Sequence, residues 1–160
     1  MREMSLHEFV AFLPRLVAGV VIAEDEALEH ASRIVEKEAK DSVGQYQDES
    51  GPFAAWAELA ESTKADRLAQ GYAENEPELR TGELRDSIEH TVHKWEKVAE
   101  IGSNSPIMVY QELGTATIPP RSILGGAAAR KEKEVVEVLG GTVIAALIGE
   151  EVSLKSLPVF

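Results

Sequence analysis

The sequence predicts an α+β fold: a long N-terminal amphipathic helix, a small antiparallel sheet built on a central hairpin, and a C-terminal helix. Three observations carry this. Apolar residues recur with helical spacing from Leu6 to Ala39, the spacing shifts toward two after Leu84, and a charged, alanine-rich run follows Pro120. At 160 residues the chain accommodates one domain. Within it we distinguish a helical region (1–44), a loop with short helices (45–80), a sheet core (81–124), a C-terminal helix (121–149) and a terminal arm (150–160).

Ser5 and Glu8 have capping-box spacing and set the helix start. Leu6, Phe9, Val10, Leu13, Leu16, Val17, Val20 and Val21 then define one face expected to be buried, and Ala27, Leu28, Ala31, Ile34, Val35 and Ala39 continue it toward a stop near Gly44. Pro14 has no N–H and crowds the carbonyl four residues back, so a kink or a restart is expected there.

Residues 45–53 read as a loop. In FAAWAELAEST, Trp56 and Leu59 share one face of a short helix, and Ser62 or Thr63 is placed to cap a following helix that contains Leu68. Residues 71–80, rich in acids and proline, read as a weakly ordered connection. From Leu84, the residues Leu84, Ile88 and Val92 form the apolar face of a half-buried strand, with Lys94 to Glu96 as the turn and Lys97 to Gly102 as the return strand. Ile107 to Leu113 fits a strand or a helical turn. Arg121 or Ser122 opens the last helix, which ends near Gly140 or Gly149, and Val152 to Phe160 reads as an arm or edge strand.

The net charge is −12, of which residues 1–78 carry −10. Gripping a nucleic-acid backbone requires clustered Lys and Arg, which this balance opposes. With no cysteine there is no disulfide, thiolate metal site or cysteine nucleophile, and an intracellular setting fits. The apolar run Phe9 to Ala23 is 15 residues long and holds Pro14 and Arg15. A span needs about 20, so neither a membrane segment nor an export signal is expected.

Candidate chemistry is sparse. His90 and His93 are three apart, so on a strand they face opposite ways and read as ordinary polar positions, not as a metal pair. His7 and His30 have no sequence partner. Glu24, Asp25, Glu26 and Glu29 supply oxygen ligands without calcium-loop spacing and read as a solvated face. Gly125-Gly126 and Gly140-Gly141 lack phosphate-loop spacing, and no G-x-S-x-G occurs. We therefore expect no catalytic residue, cofactor or metal.

Five segments occur in a particular order: W-x-x-L-x-x-S-T at Trp56, Leu59, Ser62 and Thr63; T-G-E-L-R-D-S-I from Thr81 through Gly82, Leu84 and Ile88; I-G-S-N with Gly102; Y-Q-E-L-G-T with Tyr110, Glu112, Gly114 and Thr115; and P-P-R-S-I-L with Pro119, Pro120 and Arg121. In this order they resemble the tail-completion, or virion morphogenesis, proteins of long-tailed bacteriophages, over roughly residues 53–135. Ile107 to Val109 depart from the family pattern, and the long acidic helix at residues 15–43 is not diagnostic of it.

The resemblance implies a structural neck subunit without catalytic residues, placed in the virion at the head–tail junction and assembled in the host cytoplasm. It implies a ring, expected to be hexameric, between connector and tail-tube proteins, with DNA passing through without specific binding. An acidic lumen would repel phosphates and let DNA slide. Thr81, Gly82, Leu84 and Ile88 would begin the central strand, Gly114 and Thr115 would form a turn, and Pro119 to Leu124 would set the angle of the last helix. Two other readings stand beside it: a small metal-dependent enzyme, and a helical adaptor acting through the N-terminal helix.

Overall fold

Ser5 starts the fold as expected. Its hydroxyl accepts from Glu8 N at 3.3 Å, and its own N–H donates to Glu8 Oε2 at 2.8 Å. The structure is a computed structural model and describes residues 5–148; the expected arm at 150–160 lies outside the described residues. From this cap α1 runs Leu6–Ser42 as one helix. The break expected at Pro14 does not occur: a single proline removes one hydrogen bond, while the capping box before it and the packed half after it hold both sides helical.

Helix α5 (Leu124–Ile148) lies antiparallel to α1. Val35, Ala39 and Val43 cluster with Ala127, Ala27 and Ile34 cluster with Val138, and Arg130 Nε meets Glu38 Oε1 at 2.5 Å between the two clusters. Fully buried alanines, Ala27 and Ala39 on α1 and Ala127 on α5, let the two backbones approach closely. The antiparallel course leaves the first half of α1 largely uncovered. Leu6, Phe9, Val10, Leu13, Val17 and Val21 are exposed, against the expectation of burial, and no residue from Ser5 to Ile22 is buried.

β1 (Ile88–His93) and β2 (Val98–Ser103) form the antiparallel hairpin, with Ile88 opposite Ser103 and His93 opposite Val98. Ile88, His90 and Val92 share the face that packs on α1. The strand begins later than expected. Gly82 at φ 90° starts a single helical turn, α3 (Glu83–Asp86), which buries Leu84, and only Ile88 opens β1. The spacing of Leu84 to Ile88 fits a helical turn as well as a strand, and the left-handed glycine decides it. The ambiguous Ile107 to Leu113 is helix α4 (Pro106–Leu113), with proline in its first turn.

Trp56 and Leu59 are buried but on irregular backbone, not on a helix. Trp56 N donates to Gln47 O and Leu59 N to the Tyr46 hydroxyl, contacts that an isolated helix could not offer. Helix α2 (Glu61–Ala69) starts after Ala60 with no side-chain cap, so Ser62 and Thr63 lie within it, and Leu68 is exposed. Residues 71–80 are not loosely held. Pro77 is fully buried and its carbonyl accepts from Gly44 N at 2.8 Å, while buried Arg67 donates to the carbonyls of Ala73 and Leu79. The core of the molecule joins Val35, Trp56, Leu84, Ile88, Met108 and Ile123.

Candidate functional site

Three of the five sequence segments, those of Trp56 to Leu59, Tyr110 to Thr115 and Pro119 to Leu124, meet where α4 hands over to α5. Glu112, in the last turn of α4, directs its carboxylate at the start of α5. It accepts from Ser122 Oγ at 2.5 Å, Ile123 N at 2.7 Å, Leu124 N at 3.0 Å and Gly125 N at 2.9 Å. The free amides of a helix start need such acceptors, and an anion there also meets the favourable end of the helix dipole. Glu112 is therefore a tertiary cap, supplied from another helix.

Gly114 makes this geometry possible. Its φ of 73° suits glycine, and a Cβ would lie 2.9 Å from Ile118 O and from Pro120 N. Thr115 closes the loop, donating N to Ile118 O at 2.8 Å and accepting on Oγ1 from Ile118 N at 3.1 Å. Pro119 and Pro120 remain exposed as the chain turns into Arg121.

Arg121 is buried and donates to Glu78 Oε1 at 3.1 Å and to Ala57 O at 2.9 Å from its two terminal nitrogens. Burial raises the Glu78 carboxyl above its usual range, against the opposing pull of Arg121 and Arg67. This pair ties the Trp56–Leu59 segment, the 71–80 connection and the start of α5 into one joint. The remaining segment residues are less embedded. Thr81 Oγ1 accepts from Glu83 N at 3.4 Å, Gly102 sits opposite Glu89 in the hairpin, and Tyr110 is exposed on α4.

A second polar cluster, unforeseen in sequence, fastens the hairpin to α1. His90 Nδ1 meets Glu36, and His90 Nε2 meets Glu29 Oε1 at 3.2 Å. Burial pushes the imidazole pKa down, but the hydrogen bonds and charges of Glu36 and Glu29 outweigh it and raise it. The hydrogen bond from His90 lowers Glu29. At Glu36, burial acts upward but Lys40 and His90 carry the group below its ordinary value. Two signals existed: Glu29 and Glu36 are two helical turns apart, and His90 lies between apolar Ile88 and Val92 on the inward strand face. Lys97 adds ion pairs to Asp25 at 2.7 Å and Glu24 at 3.5 Å, so the acidic run is partly engaged, not simply solvated.

Among the described residues no group of three or more His, Asp or Glu is placed to hold a metal ion, and His93 faces away from His90 toward Glu100. A shallow groove of about 650 Å³ crosses the outer hairpin face, lined by residues including Glu89, Thr91, Glu100 and Asn104, with no His or Lys beside Ser87 to activate it.

The exposed apolar residues group elsewhere. They lie along the first half of α1, on Ile107, Val109, Tyr110 and Leu113 of α4, on Val136, Ile144, Leu147 and Ile148 of α5, and at Trp95, fully exposed in the hairpin turn. The helix Leu6–Ser42 also contains an 18-residue window of mean hydropathy 1.7, only 6% of it buried, which by length and composition is enough to cross a membrane. Comparison with known proteins finds no matching family model, curated protein or solved structure.

Proposed function

We propose that this chain is a structural subunit of a tailed-phage virion, a completion or neck protein at the head–tail junction that acts by assembling as a ring of copies around the DNA channel. The observation that carries the reading is the convergence of Trp56, Glu112, Gly114 and Arg121 on the α4–α5 joint. Glu112, Gly114 and Arg121, three of the residues on which the phage resemblance rests, hold the scaffold together at this joint. Exposed apolar faces on α1 and α4 then supply contacts for neighbours. The net charge of −12 favours passage of DNA over adhesion to it.

Gold-labelled antibody against this chain, applied to purified particles of a phage that encodes it, tests the reading. Label confined to the neck is the expected result; virions without label at the neck contradict it. A second reading, a helical adaptor, is favoured by one observation, the uncovered apolar face of α1. It predicts that the chain captures a partner through residues 6–22 while remaining monomeric by itself.

A further inference from the structure

Leu6, Leu13, Val20, Ala27 and Ile34 fall seven residues apart on α1, and Phe9, Leu16 and Ala23 repeat the same interval three residues later. Inside the body this seam is covered: Ala23, Ala27 and Ile34 are buried, the last two against Val138 of α5. Toward the N-terminus the same seam continues for about 25 Å, at 1.5 Å per residue, beyond the last buried position. Its flank is also apolar, since Val10 and Val17 follow Phe9 and Leu16, and both are exposed. The two charged side chains of the stretch, Glu8 and Arg15, are seven apart and share a position off the seam.

We infer that the Leu6–Ile22 half of α1 is a self-association element, and that its occupant is the same half-helix of further copies of this chain, packed side by side. Continuity argues for a helix as occupant: the seam that α5 fills in the body is the one left open beyond it. The width of the stripe argues for more than one neighbour. A two-helix coil needs only the seam, whereas an apolar flank beside it gives each helix two contact faces, as a closed bundle of copies requires.

Lipid is the weaker occupant. Arg15 would sit near the middle of the buried stretch, and Glu24, Asp25 and Glu26 follow it at once in a chain of net charge −12, a poor match to anionic membrane surfaces. The inference deepens the assembly reading and rests on it for self-association alone; antibody label absent from a phage neck would leave it standing.

The absence of cysteine makes the test direct. Full-length L6C and L13C proteins, mildly oxidised, are expected to form disulfide-linked dimers in high yield. V136C, exposed at the middle of α5, serves as the control and should stay uncrosslinked. In sedimentation velocity, L13E/V17E should shift the wild-type oligomer to monomer while circular dichroism is unchanged. An oligomer that keeps its mass in L13E/V17E overturns the inference. So does a wild type that is monomeric at every concentration, with L6C and L13C no more crosslinked than V136C. Wild-type monomer that floats with phosphatidylcholine vesicles, a property lost in L13E/V17E, overturns it in favour of lipid.

Discussion

Arg121 and Glu78, 43 positions apart in the chain, form a buried ion pair with side chains 6% and 4% exposed. Removing one partner strands the other charge, which costs about 3–5 kcal/mol in comparable sites. R121M should therefore lower the urea midpoint strongly, and E78Q less, because a neutral amide still accepts from the guanidinium. In R121M/E78L the loss should be smaller than the sum of the single losses, which a double-mutant cycle in urea measures.

Glu112 is expected to behave as a helix cap and not as an acid–base group. E112A leaves three backbone amides at the start of α5 without their acceptor and should cost about 1–3 kcal/mol. E112Q retains one acceptor oxygen and should recover part of it. Thermal unfolding of the three proteins checks the order wild type, E112Q, E112A.

Gly114 should not tolerate a side chain. A backbone at φ 73° and ψ 176° is essentially confined to glycine and costs an L-residue about 1–3 kcal/mol, and the added Cβ would press on the backbone at Ile118 and Pro120. G114A is expected to be destabilised by at least that amount, while G140A, with nothing within 4 Å of the added atom, should be neutral or slightly stabilising. Comparing the two midpoints checks the contrast.

The Glu29–His90–Glu36 cluster gives the hairpin a pH-dependent attachment. His90 is raised in the folded state, so its stabilisation is complete below the unfolded value of about 6.5 and is lost as pH rises through the folded value. Glu29 and Glu36 are lowered, so theirs is present above about 4.3 and is lost as pH falls through their folded values. The difference in unfolding free energy between wild type and H90Q should therefore be greatest between about pH 5 and 6.5 and shrink on either side. A difference that is flat with pH would mean that the cluster does not hold the hairpin through charge.

What was legible in the sequence was local. Ser5 and Glu8 specify their cap within one helical turn, and alternation from Ile88 to His93 specifies the inward strand face. What was not legible depends on distant partners. Pro77 and Glu78 look like a loose connection until Gly44 and Arg121 reach them. Trp56 and Leu59 carry helical spacing, but Gln47 and Tyr46 hold their backbone in another shape. The exposed start of α1 has the same cause: periodicity tells which face is apolar, not whether the fold covers it.

If the chain works by assembly, negative-stain microscopy of the purified full-length protein across concentration and salt should show closed rings with an open centre, more abundant as salt weakens repulsion between acidic subunits. Compact monomers under every condition, together with no binding to connector or tail-tube proteins, would contradict it.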